Sequence, residues 1–396
     1  MSTVVELERV GAERHSALVR CAGDPTTFLR DVWGRRPIVR EGGDPRGFAD
    51  LLTLEDVDAI LSTTSVRTPS FRLVRGGEQI PESAYTRSGT TGSRPVSGMA
   101  DPVRIFELFR TGATIVLQGL HRYWEPVTRF LRDLELDLGH PCQANAYITP
   151  PGAQGLDRHS DAHDVFVLQA FGRKSWEVHS APGEPDRAPI RTELAPGDAI
   201  YMPEGTPHAA STQEALSGHL TVGVNVVRWR DLLDAAWRRA ASDPSVQEPL
   251  PAGWTRERER IAAELAARLS AQGDALERTD AREVVEARAV AFGSTRGSLL
   301  RGTLADLSEL DRIDDRTLLE RRPGAVCELL RRGDVLVVLL GDRRLEMPPW
   351  LHAAMDRIAS TARLRVSDLR PEIRDPASRL VLVRRLVREG LVRPVR

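Results

Sequence analysis

The chain has 396 residues, of which 41% are hydrophobic and 28% are charged, and its formal net charge is −1. This balance is typical of a soluble globular protein with two or three domains, and it excludes a chain whose overall charge would attract nucleic acid or an anionic membrane. The three cysteines lie far apart, and no apolar run approaches the roughly 18 residues that a membrane span requires. We therefore expect a cytoplasmic protein with no membrane-embedded part.

The first hundred residues show both helical and extended patterns. The stretch TLEDVDAILS predicts a helix that Thr53 can cap, with acidic residues in its first turn. Residues 76–100 are rich in Gly, Ser, Thr and Pro, which indicates a loop. We expect residues 1–100 to form an α/β extension that packs on the domain that follows.

Residues 101–228 are predicted to be rich in β-strands. A strand, ATIVLQ, and a helix, EPVTRFLRDLELDL, precede a series of short apolar segments. These segments are separated by Gly and Pro turns, and they include QANAYITPPG, DVFVLQAFG, KSWEVH, AIYMPEGTPHAA and HLTVGVNVV. Many short strands divided by such turns favour a sandwich or a barrel.

The pattern becomes helical after Val227. Residues 229–295 contain three helical segments, and one of them, ERERIAAELAARL, has an apolar stripe opposite a charged face. Such a stripe must pack on something, so we expect a homodimer through this region. Residues 296–396 mix helices with the predicted hairpin VLVVLLGDRRLEM, whose turn is Gly341-Asp342, and they end in a helix that leads into a strand.

Histidine is concentrated in the β-rich part of the chain, where seven of the nine lie between His121 and His219. His159 and Asp161 are two residues apart, so in a strand their side chains point to the same face. His208 follows a Pro-Gly-Asp turn, a strand and a Pro-Glu-Gly turn, and these turns fix the direction from which it enters. Two histidines and one carboxylate form the facial triad of non-haem Fe(II) oxygenases, which leaves adjacent positions open for a cosubstrate and O₂.

Other residues of this region have more ordinary interpretations. His163 has the same strand parity as the His-x-Asp pair, and we interpret it as a pocket residue rather than a ligand. We interpret His179 and His219 as ordinary polar positions. The large apolar side chains are interpreted as core, and they are Phe166, Trp176 and Val178.

Lys174 is the only lysine in the chain, so 54 of the 55 Lys and Arg side chains are arginines. It lies in the hydrophobic, strand-like run FGRKSWEV. From this position alone, the ordinary interpretation is that the ammonium group reaches solvent at the end of its flexible stem.

The run NAYITPPGAQGLDRHSDAHDVFVLQAFGRKSWEV resembles the bacterial cupin-like JmjC proteins of the ribosomal oxygenase type. It contains N-x-Y, T-P-x-G-x-x-G, H-x-D, D-V-F-V-L-Q and G-x-K-x-W in order, and FLRDVWGRRPIVR is similar to the family's N-terminal segment. The resemblance covers residues 25–228 and is only architectural beyond them. It implies a mainly β core, a double-stranded β-helix (jelly roll, cupin/JmjC) at 101–228 with flanking helices. A helical dimerisation region at 229–295 and a winged-helix-like C-terminal domain at 296–396 are also implied.

The same resemblance implies an Fe(II)- and 2-oxoglutarate-dependent dioxygenase that hydroxylates a side chain of a protein or peptide. The implied iron ligands are His159, Asp161 and His208. The implied 2-oxoglutarate residues are Lys174, which would pair with the distal carboxylate, and Asn145 and Tyr147, which would assist. A buried dicarboxylate needs a fixed cation opposite its far end, and a compact ammonium fits a narrow barrel better than a planar guanidinium.

Alternatives remain for the identity of the substrate and for the class of function. A ribosomal protein, hydroxylated at His or Arg, is the family expectation, and a peptide natural-product precursor competes with it. Residues 363–396 contain ten arginines against four acidic residues, which would suit a DNA-binding regulator with a cupin sensor. These arginines are not interleaved with aromatic residues, so we favour a solvated basic helix and expect no sequence-specific binding of nucleic acid. A metal cupin with an isomerase or storage role would not need the three 2-oxoglutarate residues.

Overall fold

The structure is a computed structural model, and the residues it describes are 17–42, 44, 47–153, 157–185, 187–211, 215–241, 246–297 and 299–396. The described residues up to Val226 form one compact unit, and those from Val227 onward form another. Among the described helices, none is long and apolar enough to cross a membrane.

The first unit combines five α-helices with thirteen strands. The helices are α1 (Ala17–Ala22), α2 (Pro25–Asp31), α3 (Leu54–Thr63), α4 (Pro102–Arg110) and α5 (Glu125–Leu138). The strands that precede α5 are β1 (Ile38–Arg40), β2 (Phe71–Arg75), β3 (Glu78–Gln79), β4 (Thr86–Thr91), β5 (Arg94–Ala100) and β6 (Thr114–Leu117). Those that follow it are β7 (Cys142–Thr149), β8 (Asp164–Phe171), β9 (Lys174–Val178), β10 (Ile190–Leu194), β11 (Ala199–Met202), β12 (His208–Ser211) and β13 (Ser217–Val224).

Two antiparallel sheets face each other in this unit. The larger has eight strands in the order β1-β11-β8-β13-β7-β6-β2-β3, and the smaller has three in the order β10-β9-β12. An isolated bridge between His159 and His208 continues the smaller sheet beyond β12. Side chains of β8, β9, β11 and β12 pack together between the two sheets. The structure thus confirms the predicted β-sheet core, and β2, β3 and β6 widen its larger sheet.

The two faces of the larger sheet have different neighbours because strand side chains alternate. On β7, Ala144, Ala146 and Ile148 are buried in the same cluster as residues of the five helices, including Leu18 and Leu134. The helices therefore cover the outer face, and the intervening residues of β7 face the smaller sheet. This alternation directs the polar residues of β7 into the interior of the sandwich.

The predicted helices of this unit are confirmed. Thr53 caps α3 in a reciprocal capping box with Asp56, and α5 coincides with the predicted stretch. The predicted loop at 76–100 is wrong in part, because β4 and β5 pair as an antiparallel hairpin there. Gly92, with φ of 59°, lies in the two-residue connection, where a left-handed backbone is required. The hairpin was missed because glycine interrupts both strands and their few apolar residues do not alternate.

The second unit contains six helices and two small sheets among its described residues. The helices are α6 (Trp229–Ala240), α7 (Arg258–Glu277), α8 (Ala281–Gly293), α9 (Thr303–Ser308), α10 (His352–Ser360) and α11 (Pro376–Arg388). The strands are β14 (Leu318–Arg321), β15 (Glu328–Arg332), β16 (Val335–Leu339), β17 (Arg344–Met347), β18 (Arg363–Arg365) and β19 (Val392–Pro394). The sheets have the orders β18-β14-β19 and β15-β16-β17, and the predicted hairpin is confirmed as β16 and β17.

Candidate active site

A cavity of about 300 Å³ lies between the two sheets of the first unit. His159, Asp161 and His208 line it, and so does Lys174. Because the lining residues come from both sheets, the cavity is the interior of the sandwich rather than a surface groove.

The three predicted metal ligands converge in the structure. One potential ligand atom from each of His159, Asp161 and His208 lies within 4.8 Å of the others. The backbones of the two histidines exchange hydrogen bonds, His159 N to His208 O at 3.0 Å and His208 N to His159 O at 2.9 Å. The amide of Gly205 donates to the carbonyl of Asp161 at 2.9 Å. Main-chain contacts between the His-x-Asp segment and the strand that carries His208 therefore assemble the cluster.

Both histidines of the cluster are oriented through their Nδ1 atoms. His159 Nδ1 lies 2.8 Å from the carbonyl of Asp157, and His208 Nδ1 lies 2.9 Å from the carbonyl of Thr206. A carbonyl only accepts, so Nδ1 carries a proton in both rings, which leaves Nε2 as the nitrogen that can bind a metal. Burial is the main cause that lowers the pKa of His208, which favours the neutral form that a metal requires. The donor set of two imidazoles and one carboxylate fits a non-haem iron centre.

His163 lines the same cavity but does not belong to this group of convergent ligand atoms. Its ring lies over Gly223 of β13, where an added Cβ would come within 2.3 Å of His163 Nε2. Only glycine leaves room for this approach, so position 223 fixes where the imidazole packs.

Lys174 lies at the start of β9 with only 5% of its surface exposed. Its Nζ donates to the hydroxyl of Thr149 at 3.3 Å, and burial lowers its pKa to about 8. The ammonium therefore does not reach solvent, contrary to the ordinary interpretation of its position. Gly172 makes the preceding turn with φ of 63°, and an added Cβ there would lie 1.9 Å from the carbonyl of Leu216. This close approach directs β9 into the smaller sheet.

Asn145 and Tyr147 both line the cavity from β7. The side-chain oxygen of Asn145 accepts from the amide of Gly119 at 2.9 Å, which fixes the orientation of its carboxamide. The ring of Tyr147 stacks on His219, with 5.2 Å between centroids and 4° between planes. Burial is the main cause that raises the pKa of Tyr147, so its hydroxyl stays protonated and can donate.

Four further residues of the cavity were not singled out as functional from the sequence. They are Arg72, Thr149, Trp176 and His219. Thr149 shares strand parity with Asn145 and Tyr147, and that spacing could have identified it. The interpretation of His219 as an ordinary polar position is wrong. Its ring is buried, its pKa is lowered well below the usual value by burial, and its Nδ1 has no hydrogen-bond partner in the described part of the chain.

Comparisons with known proteins agree with this geometry. Residues 125–232 match the family model described as JmjC domain. Ribosomal oxygenase 1 of Gallus gallus is 29% identical over 228 residues, which cover 53% of this chain and 36% of that protein. A Culex quinquefasciatus protein named bifunctional lysine-specific demethylase and histidyl-hydroxylase NO66 is 27% identical over 243 residues, or 57% of this chain and 36% of that protein. The chain thus spans little more than a third of these relatives.

A solved structure extends the likeness in fold to most of the chain. YcfD, a ribosomal oxygenase from Escherichia coli, in complex with cobalt and 2-oxoglutarate, matches with a TM-score of 0.54 and 20% identity. The match covers 93% of this chain and 97% of that one. Residues 125–232 therefore match the JmjC domain, and over about half of its length the chain is similar to proteins named ribosomal oxygenase.

Proposed function

We propose that the chain is an Fe(II)- and 2-oxoglutarate-dependent dioxygenase that hydroxylates a side chain of a protein or peptide. The observation that carries the proposal is a cavity with a His-Asp-His cluster and a buried ammonium, Lys174, that forms no ion pair with the residues the structure describes. When bound, Fe(II), 2-oxoglutarate and O₂ supply the chemistry that converts a C–H bond into C–OH and releases succinate and CO₂. The protein contributes binding, orientation and exclusion of water.

In this proposal the metal is held by His159, Asp161 and His208. One potential ligand atom of each residue lies within 4.8 Å of the others, and the backbone bridge ties the two histidines together. The Asp161 side chain is 31% exposed and the His208 side chain 5%, so the cluster has one open side. A metal in this position would keep coordination sites free for other ligands on that side.

Lys174 would bind the distal carboxylate of 2-oxoglutarate. A buried cation with a single hydroxyl partner is costly, and a carboxylate would complete its surroundings with a charge-assisted hydrogen bond. Thr149 would hold the ammonium in place. Tyr147 and Asn145 line the same cavity and would support the cosubstrate through their hydroxyl and carboxamide groups.

The substrate is proposed from the relatives. Their names refer to ribosomal oxygenase and histidyl hydroxylase activity. We therefore favour a ribosomal protein hydroxylated at His or Arg, and a peptide natural-product precursor remains the competing substrate. The proposed location of this activity is the cytoplasm.

Each of the four segments of the chain would have its own role in this proposal. Residues 1–100 would support the barrel, and 101–228 would carry the catalytic cavity. Residues 229–295 would form the dimer, and 296–396 would form a winged-helix-like domain.

Exposed apolar side chains on α6 support a homodimer. Trp229, Leu233 and Trp237 are spaced four residues apart on one helix face, with 80%, 66% and 42% of their surfaces exposed. A continuous patch of this kind is typical of a protein interface. Light scattering of the full chain tests the dimer, and Trp229→Glu with Leu233→Glu should convert it to a monomer. A monomeric parent protein would contradict the proposal.

The arginines of residues 363–396 weaken the regulator alternative. Six of the ten form ion pairs within the second unit, which leaves fewer of them for phosphates. Arg379 is buried and pairs with Asp315, and it also donates to two main-chain carbonyls. These side chains hold the second unit together.

The experiment that tests the function measures succinate formed from 2-oxoglutarate with added Fe(II). Peptides from ribosomal proteins and precursor peptides are then screened by mass spectrometry for a gain of about 16 Da, the mass of one oxygen atom. We expect Fe(II)-dependent succinate from the parent protein and none from His159→Ala. Equal succinate from both proteins would contradict the proposed site.

A further inference from the structure

Arg72 is a cation of the cavity that the proposed chemistry does not use. It lies on β2, opposite Val116 of β6, which in turn lies opposite Tyr147 of β7. All three side chains line the cavity, together with the Gly76-Gly77 turn that follows β2. Arg72 therefore belongs to the side of the cavity that the N-terminal extension builds, whereas the metal cluster and Lys174 belong to the barrel itself.

The guanidinium of Arg72 lacks a carboxylate. Its side chain forms a hydrogen bond with the Tyr147 hydroxyl, but its Nε is buried and has no hydrogen-bond partner among the described residues. No ion pair joins Arg72 to an acidic residue in the described part of the chain. Burial is the main cause that raises the pKa of Tyr147 and the pKa of Tyr85. The charge of Asp161 adds to this effect at Tyr147 and that of Glu82 at Tyr85, while the charge of Arg72 lowers the pKa of both. Asp161 is committed to the metal cluster. A shielded donor without a partner is costly, and a ligand that supplies an acceptor would remove that cost.

We assign to Arg72 an anionic ligand other than 2-oxoglutarate. Lys174 and Arg72 line the cavity from different sheets, Lys174 from β9 of the smaller sheet and Arg72 from β2 of the larger one. Lys174 already offers a buried cation to the distal carboxylate. The remaining ligand of this cavity is the peptide substrate, which must enter it to reach the metal.

We propose that Arg72 binds a carboxylate of the peptide substrate, an Asp or Glu side chain that lies beside the hydroxylated residue. The planar fork of a guanidinium matches a carboxylate with two parallel hydrogen bonds. A phosphate dianion would call for a second cation, and the other cation that lines this cavity, Lys174, is assigned to 2-oxoglutarate. This inference rests on the proposed function, and it predicts that Lys or Arg at the same peptide position is rejected by like-charge repulsion.

Affinity selection from a peptide library tests the proposal without requiring turnover. The protein is immobilised with Mn(II) and 2-oxoglutarate under anaerobic conditions, and the library has a central His or Arg with randomised flanks. We expect Asp and Glu to be enriched by about tenfold at one flanking position. A tenfold difference in affinity corresponds to about 1.4 kcal/mol of binding free energy, which is reasonable for a partly exposed charge pair. Arg72→Gln should abolish this enrichment, and Arg72→Glu should replace it with enrichment of Lys and Arg.

Arg75→Gln is the matched control. Arg75 is on the same strand, but its guanidinium is exposed and donates to the hydroxyl of Thr111 at 2.9 Å, away from the cavity. This variant should select the same peptides as the parent protein. Absence of acidic enrichment with the parent, unchanged enrichment with Arg72→Gln, or preference for phosphopeptides would each overturn the inference.

Binding of Mn(II) and 2-oxoglutarate by each preparation separates this inference from the proposed function. If Arg72→Gln loses affinity for 2-oxoglutarate, Arg72 belongs to the cosubstrate site and the inference is wrong, although the oxygenase proposal stands. If the parent protein binds no 2-oxoglutarate, the oxygenase proposal fails. If the parent protein binds no 2-oxoglutarate but still enriches peptides with Asp or Glu, and this enrichment depends on Arg72, the result would still support a carboxylate site on β2.

Discussion

The cavity of the first unit has two polar regions that are built in opposite ways. The cluster of His159, Asp161 and His208 is assembled by main-chain hydrogen bonds and keeps an open side. Lys174 is a single charge with 5% of its surface exposed and one hydroxyl partner. Burying an ammonium without a counter-charge is costly, so an anion bound at Lys174 would offset that cost, whereas the metal cluster is held by its own main-chain contacts. Substitutions in the two regions should therefore fail in different ways.

The largest effect is expected in the metal cluster. Asp161→Ala removes one of three protein ligands, and loss of a supporting contact alone commonly weakens metal binding by about 10- to 100-fold. We expect more than about 100-fold weaker Mn(II) binding and no detectable succinate. Mn(II) titration followed by electron paramagnetic resonance measures the first quantity. His163→Gln is the matched control and should keep the metal; loss of metal there with retention in Asp161→Ala would reverse our ligand assignment.

Lys174→Ala should affect only the other region. The metal should still bind, because Lys174 is not one of the convergent ligands. Removing one partner of a buried charge pair costs about 2–5 kcal/mol, or roughly 30- to 4,000-fold in 2-oxoglutarate affinity. Lys174→Arg should recover part of the loss, and Lys174→Glu should be worse than alanine.

Anaerobic titration of 2-oxoglutarate with Mn(II) measures these differences. Arg173→Ala is the control, since that neighbouring side chain is 60% exposed and pairs with Glu193. If Lys174→Ala binds 2-oxoglutarate as well as the parent does, the cavity has no anion site at this residue, and the oxygenase proposal rests on the metal cluster alone.

The pH dependence of 2-oxoglutarate binding should come from the same ammonium. Burial lowers the pKa of Lys174 to about 8, and a bound carboxylate would raise it again. Binding is therefore strongest below pH 8, where Lys174 is already protonated, and it weakens as the pH rises above that value. We expect about a tenfold loss of affinity for each unit above pH 8, until the raised pKa of the complex is reached. Calorimetry between pH 7 and 9.5 measures it, and Lys174→Arg should show a flat profile.

Thr149→Val should give the smallest change of the series. The substitution keeps the shape of the side chain and removes the hydroxyl that accepts from Lys174 Nζ. One long hydrogen bond to a charged group contributes about 1.5 kcal/mol, or roughly tenfold in 2-oxoglutarate affinity. Thr149→Ser should restore binding. A loss as large as that of Lys174→Ala would mean that the threonine contacts the cosubstrate itself.

The sequence predicts these two regions unequally well. The His-x-Asp spacing and the solitary lysine identify candidates directly, because strand parity and residue chemistry are local properties. The capped helix after Thr53 is also local. Arg72 and His219 could not be found in this way. Their places in the cavity depend on which strands pair and in which register, and Arg72 reaches Tyr147 only across an intervening strand.

The hairpin of β4 and β5 shows a second limit. Both strands contain glycine and few apolar residues, so the composition of this segment is typical of a loop. The main chains of β4 and β5 nevertheless pair along their length. Periodicity arguments detect a strand by the surface it buries, and these strands bury little. Main-chain pairing without a buried face leaves no strong pattern in the side chains.

The solitary lysine has a consequence for the chemistry of the whole surface. Lys174 is the only lysine and it is buried, so the chain offers no exposed ε-amino group to acylating or cross-linking reagents. The other 54 of the 55 Lys and Arg side chains are guanidinium groups. Guanidinium keeps its charge across the whole range in which proteins are stable. The arginines therefore keep their charge throughout this range, and the single ε-amine of the chain lies inside the cavity, where its reaction with an amine-reactive probe would report whether the cavity is occupied.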